Sequence, residues 1–146
     1  MYKRILVPLD GSPASQRGLK EALRLAKQNK ARMQLLHVVG IFISTPVLAG
    51  DRYVDDIPKT LHAAGAAILK KAEALVRRQR VAVDIAMLDI AGGRVADAIV
   101  GQAKKWRADL IVIGTHGRRG LGHLLLGSVA EKVLRRAACP VLTVRG

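Results

Sequence analysis

The sequence predicts an α/β fold: a single doubly wound, five-stranded parallel sheet in strand order 3-2-1-4-5, with helices on both faces. Three observations predict it. Short apolar runs rich in β-branched residues alternate with amphipathic, helix-length stretches along the whole chain. The connections between successive runs are too long for hairpins, which calls for parallel strands joined by helical crossovers. A glycine-rich loop leaves the fourth run and leads into a helix. In this order strands 1 and 4 are neighbours at the topological switch point, where ligands bind beyond the strand C-termini. The loops leaving those two strands, Asp10-Gly11-Ser12 and Gly114 to Gly127, are the most glycine-rich and polar in the chain.

The elements follow in order. Lys3 to Asp10 opens with a short apolar strand, and pairing is expected to stop at Pro8, which has no N–H to donate. Ser12 as N-cap with Pro13 at the first helical position starts a helix to about Asn29, with Leu19, Ala22, Leu23 and Ala26 on one face. Met33 to Val39 reads as strand 2, ended by Gly40. From Ile41 to Ile57 periodicity fails and turn signals dominate, so a long connection is expected, to which no chemistry can be assigned. Pro58 starts a long helix to near Arg80, with Leu61, Gly65, Ile68, Ala72, Leu75 and Val76 on its apolar face. The stretch Val81 to Ile90 contains strand 3, and its partial alternation fits a sheet edge. Gly92-Gly93 breaks it, and a helix with Val95, Ile99, Ala103 and Trp106 on its buried side follows. Leu110 to Ile113 is strand 4. After the glycine-rich loop, Ser128 and Glu131 form an S-x-x-E capping box, and Pro140 to Val144 closes the sheet.

With 146 residues, half of them hydrophobic, one domain spanning 1–146 is expected, and it can bury a real core. No apolar run reaches the roughly 20 residues of a membrane span, and Met1 to Arg4 runs straight into a strand. A cytoplasmic protein is expected. The single cysteine, Cys139, has no internal disulfide partner, which fits a reducing compartment. It lies between Ala138 and Pro140 and reads as a small packing residue rather than a nucleophile.

The net charge of +14 would attract phosphate-bearing or other anionic partners. Its distribution along the chain weakens that reading, because Lys and Arg fall in every third of the sequence and cluster only as short pairs, such as Lys70-Lys71, Arg77-Arg78, Lys104-Lys105 and Arg135-Arg136 at helix positions. One Trp, two Tyr and one Phe leave little for base stacking, and no RNA-binding, zinc-finger or basic-zipper pattern occurs. A dedicated nucleic-acid function is therefore not expected. His116 and His123 lack a third ligand in their loop, so no metal site is assigned.

The spacing Gly114-x-x-Gly117, nine residues, then Gly127-Ser128 resembles the G-2x-G-9x-G-[ST] signature of the nucleotide-binding universal stress proteins. The opening Ile5 to Ser12, the strand end His37-Val38-Val39 and the closing Cys139 to Val144 resemble the same family, so the likeness runs from first strand to last. It implies that Asp10, with Leu9 and the backbone near Pro8 and Val39, holds adenine and ribose. Gly114, His116, Gly117, Arg118, Gly127, Ser128 and Val129 would line the ribose and triphosphate, with Mg²⁺ bridging the phosphates. It also implies a homodimer through the last strand, Val141 to Val144, which would cover an otherwise exposed apolar edge. Both the high charge and the Ile41 to Ile57 segment depart from the signature and could serve a protein partner specific to this chain.

No Walker motif or dinucleotide fingerprint is present, and no general base is placed beside the phosphates. The expected function is ATP binding in a stress response, as a nucleotide-dependent regulatory or interaction protein with at most slow hydrolysis. The alternative is an interaction module of the same fold that binds no nucleotide and uses its basic surface for an acidic protein, another anion or nucleic acid.

Overall fold

The structure, a computed structural model, describes residues 1–41, 56–91, 94–115 and 126–145. The elements are β1 (Arg4–Pro8), α1 (Pro13–Asn29), β2 (Arg32–Ile41), α2 (Asp56–Arg78), β3 (Val83–Ala91), α3 (Val95–Trp106), β4 (Leu110–Thr115), α4 (Ser128–Arg136) and β5 (Val141–Arg145). All strand pairs are parallel and the order is β3-β2-β1-β4-β5, as the sequence predicts.

Alternation along the strands builds two core layers. Ile5 and Val7 of β1 pack with Leu19, Ala22 and Ala26 of α1 and Leu69, Ala72 and Val76 of α2. Leu6, one residue out of step, joins the opposite layer with Ile99 and Ala103 of α3 and Val133 of α4. Each fully buried Ile, Leu or Val of this kind stabilises the fold by about 1.5–3 kcal/mol relative to its exposed state. Parallel central strands need both faces covered, and the four helices supply the cover.

Several boundaries differ from expectation. β2 continues through Gly40, which pairs with Ile90, because the β3 ladder carries the strand past the glycine. α2 begins at Asp56, two residues before Pro58, since proline is tolerated within the first turn, where its missing N–H has no helical partner. On α2, Leu61 and Leu75 are exposed, while Leu69 takes the core position between Gly65 and Ala72. Trp106 is half-buried, with the Arg4 guanidinium 4.6 Å above its ring. Residues 42–55, most of the expected long connection, lie outside the described residues, as do Gly92 and Gly93. Among the described residues no helix is long and apolar enough to cross a membrane.

Three corners of the fold share one backbone feature. Lys30, Arg80 and Arg107 have φ of 52°, 58° and 57°, in the left-handed region. Lys30 and Arg107 cap the C-termini of α1 and α3, and Arg80 stands just beyond α2. Their N–H groups fold back onto carbonyls of the preceding turn, as in a glycine cap. For a residue with a side chain that conformation costs about 1 kcal/mol.

Candidate functional site

The cleft at the switch point is formed by the ends of β1, β2 and β4 and by the N-termini of α1 and α4. It begins with the turn after β1. Asp10 Oδ1 accepts the Ser12 N–H at 2.9 Å, and Gly11 between them takes φ 82°, a conformation that favours glycine. Ser12 then caps α1, its Oγ accepting the Ser15 N–H at 3.1 Å, and the Ser15 hydroxyl donates back to the Ser12 carbonyl at 2.9 Å. Pro13 follows at the start of the helix, as expected.

Gly114 has a role that its motif does not disclose. A Cβ there would stand 2.1 Å from the Ala14 carbonyl oxygen, and one on Gly18 would stand 3.0 Å from the Gly114 nitrogen. The first turns of α1 therefore lie directly on the end of β4, backbone against backbone. Glycine at 114 is required by helix-to-strand packing whether or not a ligand is present. That contact aims the α1 N-terminus over the cleft.

The capping box at the far side does not form. Gly127 is the N-cap of α4, with its carbonyl accepting the Glu131 N–H at 2.9 Å, and Ser128 is the first helical residue. The boundary sits one residue earlier than the S-x-x-E pattern indicates. Glu131 pairs instead with Arg135, at 2.9 Å. Among the described residues no side chain caps α4. Its first turn, Ser128 to Ala130, thus lines the cleft with the positive end of the helix dipole and, among the described residues, without a side-chain acceptor, whereas α1 is capped by Ser12.

Of the expected site residues, the structure brings Pro8, Leu9, Asp10, Gly114, Gly127, Ser128 and Val129 together in the cleft lining. His116, Gly117 and Arg118 lie outside the described residues. Val39 is buried and not part of the lining; Val38 is, with Leu36. The period of two along β2 accounts for the difference, since the side chain that shares a face with Leu36 is that of Val38. Val95 and Ile99 of α3 complete the apolar wall. Alternation within β2, carried one element further, would have found Val38.

His37 has a role that the sequence does not signal. Its Nδ1 lies 2.7 Å from the Leu9 carbonyl oxygen, and because a carbonyl only accepts, Nδ1 carries the proton. The ring fits under α2 only because residue 65 is glycine: a Cβ there would stand 2.4 Å from His37 Cδ2. His37 thus ties the residue before Asp10 to β2 and α2. Leu9 is held a second time, its N–H donating to the Leu36 carbonyl at 2.8 Å. Away from the cleft, burial and then the Asp109 carboxylate push the Cys139 thiol up, keeping it protonated, in line with a packing role.

The arrangement can hold an apolar, planar group between Val38, Leu36 and α3, and an anion at the α4 N-terminus. Comparisons with known proteins agree in fold and lineage. The family model for the universal stress protein family matches residues 1–145. A universal stress protein of Methanocaldococcus jannaschii is 37% identical, over 99% of this chain and 83% of that protein. The crystal structure of a universal stress protein family member from Burkholderia pseudomallei superposes with a TM-score of 0.80 at 34% identity, covering 98% of this chain and 96% of the other. A universal stress protein crystallised in complex with cAMP superposes with a TM-score of 0.66 at 30% identity, covering 98% and 97%. The chain belongs to the universal stress protein family.

Proposed function

We propose that the chain is a single nucleotide-binding domain that binds ATP in this cleft and acts in a stress response as a nucleotide-dependent regulatory or interaction protein. The observation that carries the reading is the α4 N-terminus: among the described residues it opens onto the cleft without a side-chain cap, while α1 beside it is capped. An unsatisfied helix N-terminus is an anion site by virtue of its N–H groups and dipole. Phosphates belong there, on Gly127, Ser128 and Val129, with His116, Gly117 and Arg118 contributed by the loop between β4 and α4. Adenine and ribose belong at the other end, over Leu36 and Val38, with Asp10 and the β1 terminus supplying hydrogen bonds. The related structure that holds cAMP supports an adenine nucleotide as the ligand class.

Mg²⁺ would enter with the phosphates. Among the described residues no group of His, Cys, Asp and Glu could hold a metal ion, so the phosphates would supply most of its ligands. Asp10 is the one ionisable side chain in the described lining, and its Oδ1 already accepts from Ser12. At most slow turnover is expected, well under the roughly 1–1,000 s⁻¹ of ordinary enzymes. The free side of β5, whose residues Val141 to Val144 are half-buried, is the edge through which a two-fold homodimer would form.

The test is mass spectrometry of small molecules released from freshly purified, denatured protein, with calorimetric titration of the stripped protein by Mg-ATP. Released adenine nucleotide and micromolar rebinding, weakened about tenfold by Asp10→Ala through loss of a hydrogen bond to the ligand, are expected. No nucleotide and no heat at several temperatures would reject the reading in favour of a ligand-free interaction module.

A further inference from the structure

Cations that are scattered along the sequence meet at the end of the sheet opposite the cleft, where helices hand over to strands. Lys30, Arg80 and Arg107 occupy three such corners, between α1 and β2, α2 and β3, and α3 and β4. All three are exposed, and none of their side chains pairs with another side chain among the described residues. Complementing the helix dipoles does not require them, because the last turn of each of these helices already carries one or two cations. Glycine would suit each backbone better. Three strained positions each hold a long basic side chain instead.

The surroundings are equally one-sided. Between the C-termini of α1 and α2 runs a groove of about 480 Å³ that takes in Lys27, Lys30, Arg32 and Arg80. Asp84 and Asp109, the carboxylates nearest the strand starts, are both engaged. Asp84 accepts two bonds from Arg32, at 2.5 and 2.7 Å, and Asp109 accepts the backbone N–H groups of Lys3 and Arg4. Arg32 and Asp84 offset one another, and among the described residues the one remaining charge of Asp109 leaves Lys27, Lys30, Arg80 and Arg107 in excess.

We propose that this end is a docking surface for the phosphate backbone of nucleic acid, bound as a polyanion without base readout. A protein partner would need an anchoring pocket of aromatic or large apolar side chains. The groove's uncharged lining is Gln79 with alanine and valine. Interfaces with nucleic acid are more polar and more positive, which fits. Among the described residues no aromatic ring is free for base stacking: Trp106 lies under Arg4 and Tyr2 packs against the core. The proposal is independent of nucleotide binding in the cleft, which lies at the other end of the strands.

The test uses fluorescence anisotropy with a short duplex DNA of arbitrary sequence across a salt series. The variant carries Lys30→Gly, Arg80→Gly and Arg107→Gly, changes that fit the left-handed backbone and so preserve folding, as thermal melts would verify. A control removes three cations from the cleft end, Arg17→Gln, Lys20→Gln and Lys59→Gln. Wild type should bind with steep salt dependence. The glycine variant should bind at least about tenfold more weakly at low salt, with the salt slope shallower by about 0.9 for each phosphate no longer neutralised, and the control should bind nearly as wild type. Equal weakening in both variants would reduce the effect to net charge and overturn the proposal. So would absence of binding at low salt, a preference for one duplex sequence, or tighter binding to polyglutamate or anionic vesicles than to the duplex.

Discussion

The two ends of the sheet are built on opposite uses of glycine and charge. At the cleft end the backbone approaches itself closely and side chains are removed: Gly114 and Gly18 let α1 lie on β4, and Gly11 turns the chain at positive φ. At the other end the positive-φ positions carry Lys30, Arg80 and Arg107. The same backbone requirement is met by glycine where close approach is needed and by a cation where exposure is. Geometry thus dominates one end and electrostatics the other, and substitutions should behave accordingly.

The largest effect is expected at the cleft end. Gly114→Ala places a methyl group 2.1 Å from the Ala14 carbonyl, so α1 must lift from β4. Chemical denaturation should show a loss of about 3 kcal/mol, the upper part of the usual overpacking range. A loss below about 0.5 kcal/mol would mean that this joint is far softer than its geometry implies.

His37 comes next. His37→Leu leaves the Leu9 carbonyl without its donor and should destabilise the fold by about 1–2 kcal/mol, while His37→Asn, which can present an N–H near the Nδ1 position, should recover much of it. Amide exchange at Gly11 and Ser12 separates positioning from bulk stability. It should accelerate in the leucine variant more than at β4 core amides, and an equal acceleration everywhere would remove any special link to the turn.

The smallest effect belongs to the cationic end. The Arg32 guanidinium, by hydrogen bonding, holds the Asp84 carboxyl below its ordinary range. A folded-state value lowered in this way contributes stability above pH ~4 that is lost as pH falls through the folded value. Both side chains are substantially exposed, so solvent screening keeps the contribution small. Asp84→Asn should remove this acid-side dependence in pH-resolved melts. It should also free Arg32 and tighten duplex binding, sharpening the contrast between the ends; weaker duplex binding in that variant would contradict the assignment of charge to this surface.

The fold was legible because its signals are local and repeated. Apolar runs, the Ser12-Pro13 helix start and long connections between strands point to one topology, and the structure has it. Much of the cleft was legible too, through Asp10 and the Gly127-Ser128 pair. What escaped was set by neighbours distant in sequence. The approach of Gly114 to Ala14 spans most of the chain, and His37 acquires its role from Leu9 and Gly65. The α4 boundary turned on which carbonyl accepts from Glu131, a choice that a four-residue pattern does not determine. The cationic end was hidden most thoroughly, because residues dispersed along a chain show no cluster until the corners are brought together.

The joint between His37 and Gly65 restricts the order in which these positions can diverge among descendants of this sequence. Alanine at 65 would suit a helix better by about 1 kcal/mol, yet it cannot arise first, because its methyl group would occupy the space of the imidazole. Replacement of His37 by a smaller residue vacates most of that space, after which Gly65→Ala becomes favourable once the flexible Met87 side chain, whose Sδ would stand 3.0 Å from the new methyl, gives by a few tenths of an ångström. Once both have changed, the histidine cannot return unless the alanine reverts. The pair therefore acts as a ratchet: a lineage that abandons the histidine is led to a state from which single substitutions do not restore it.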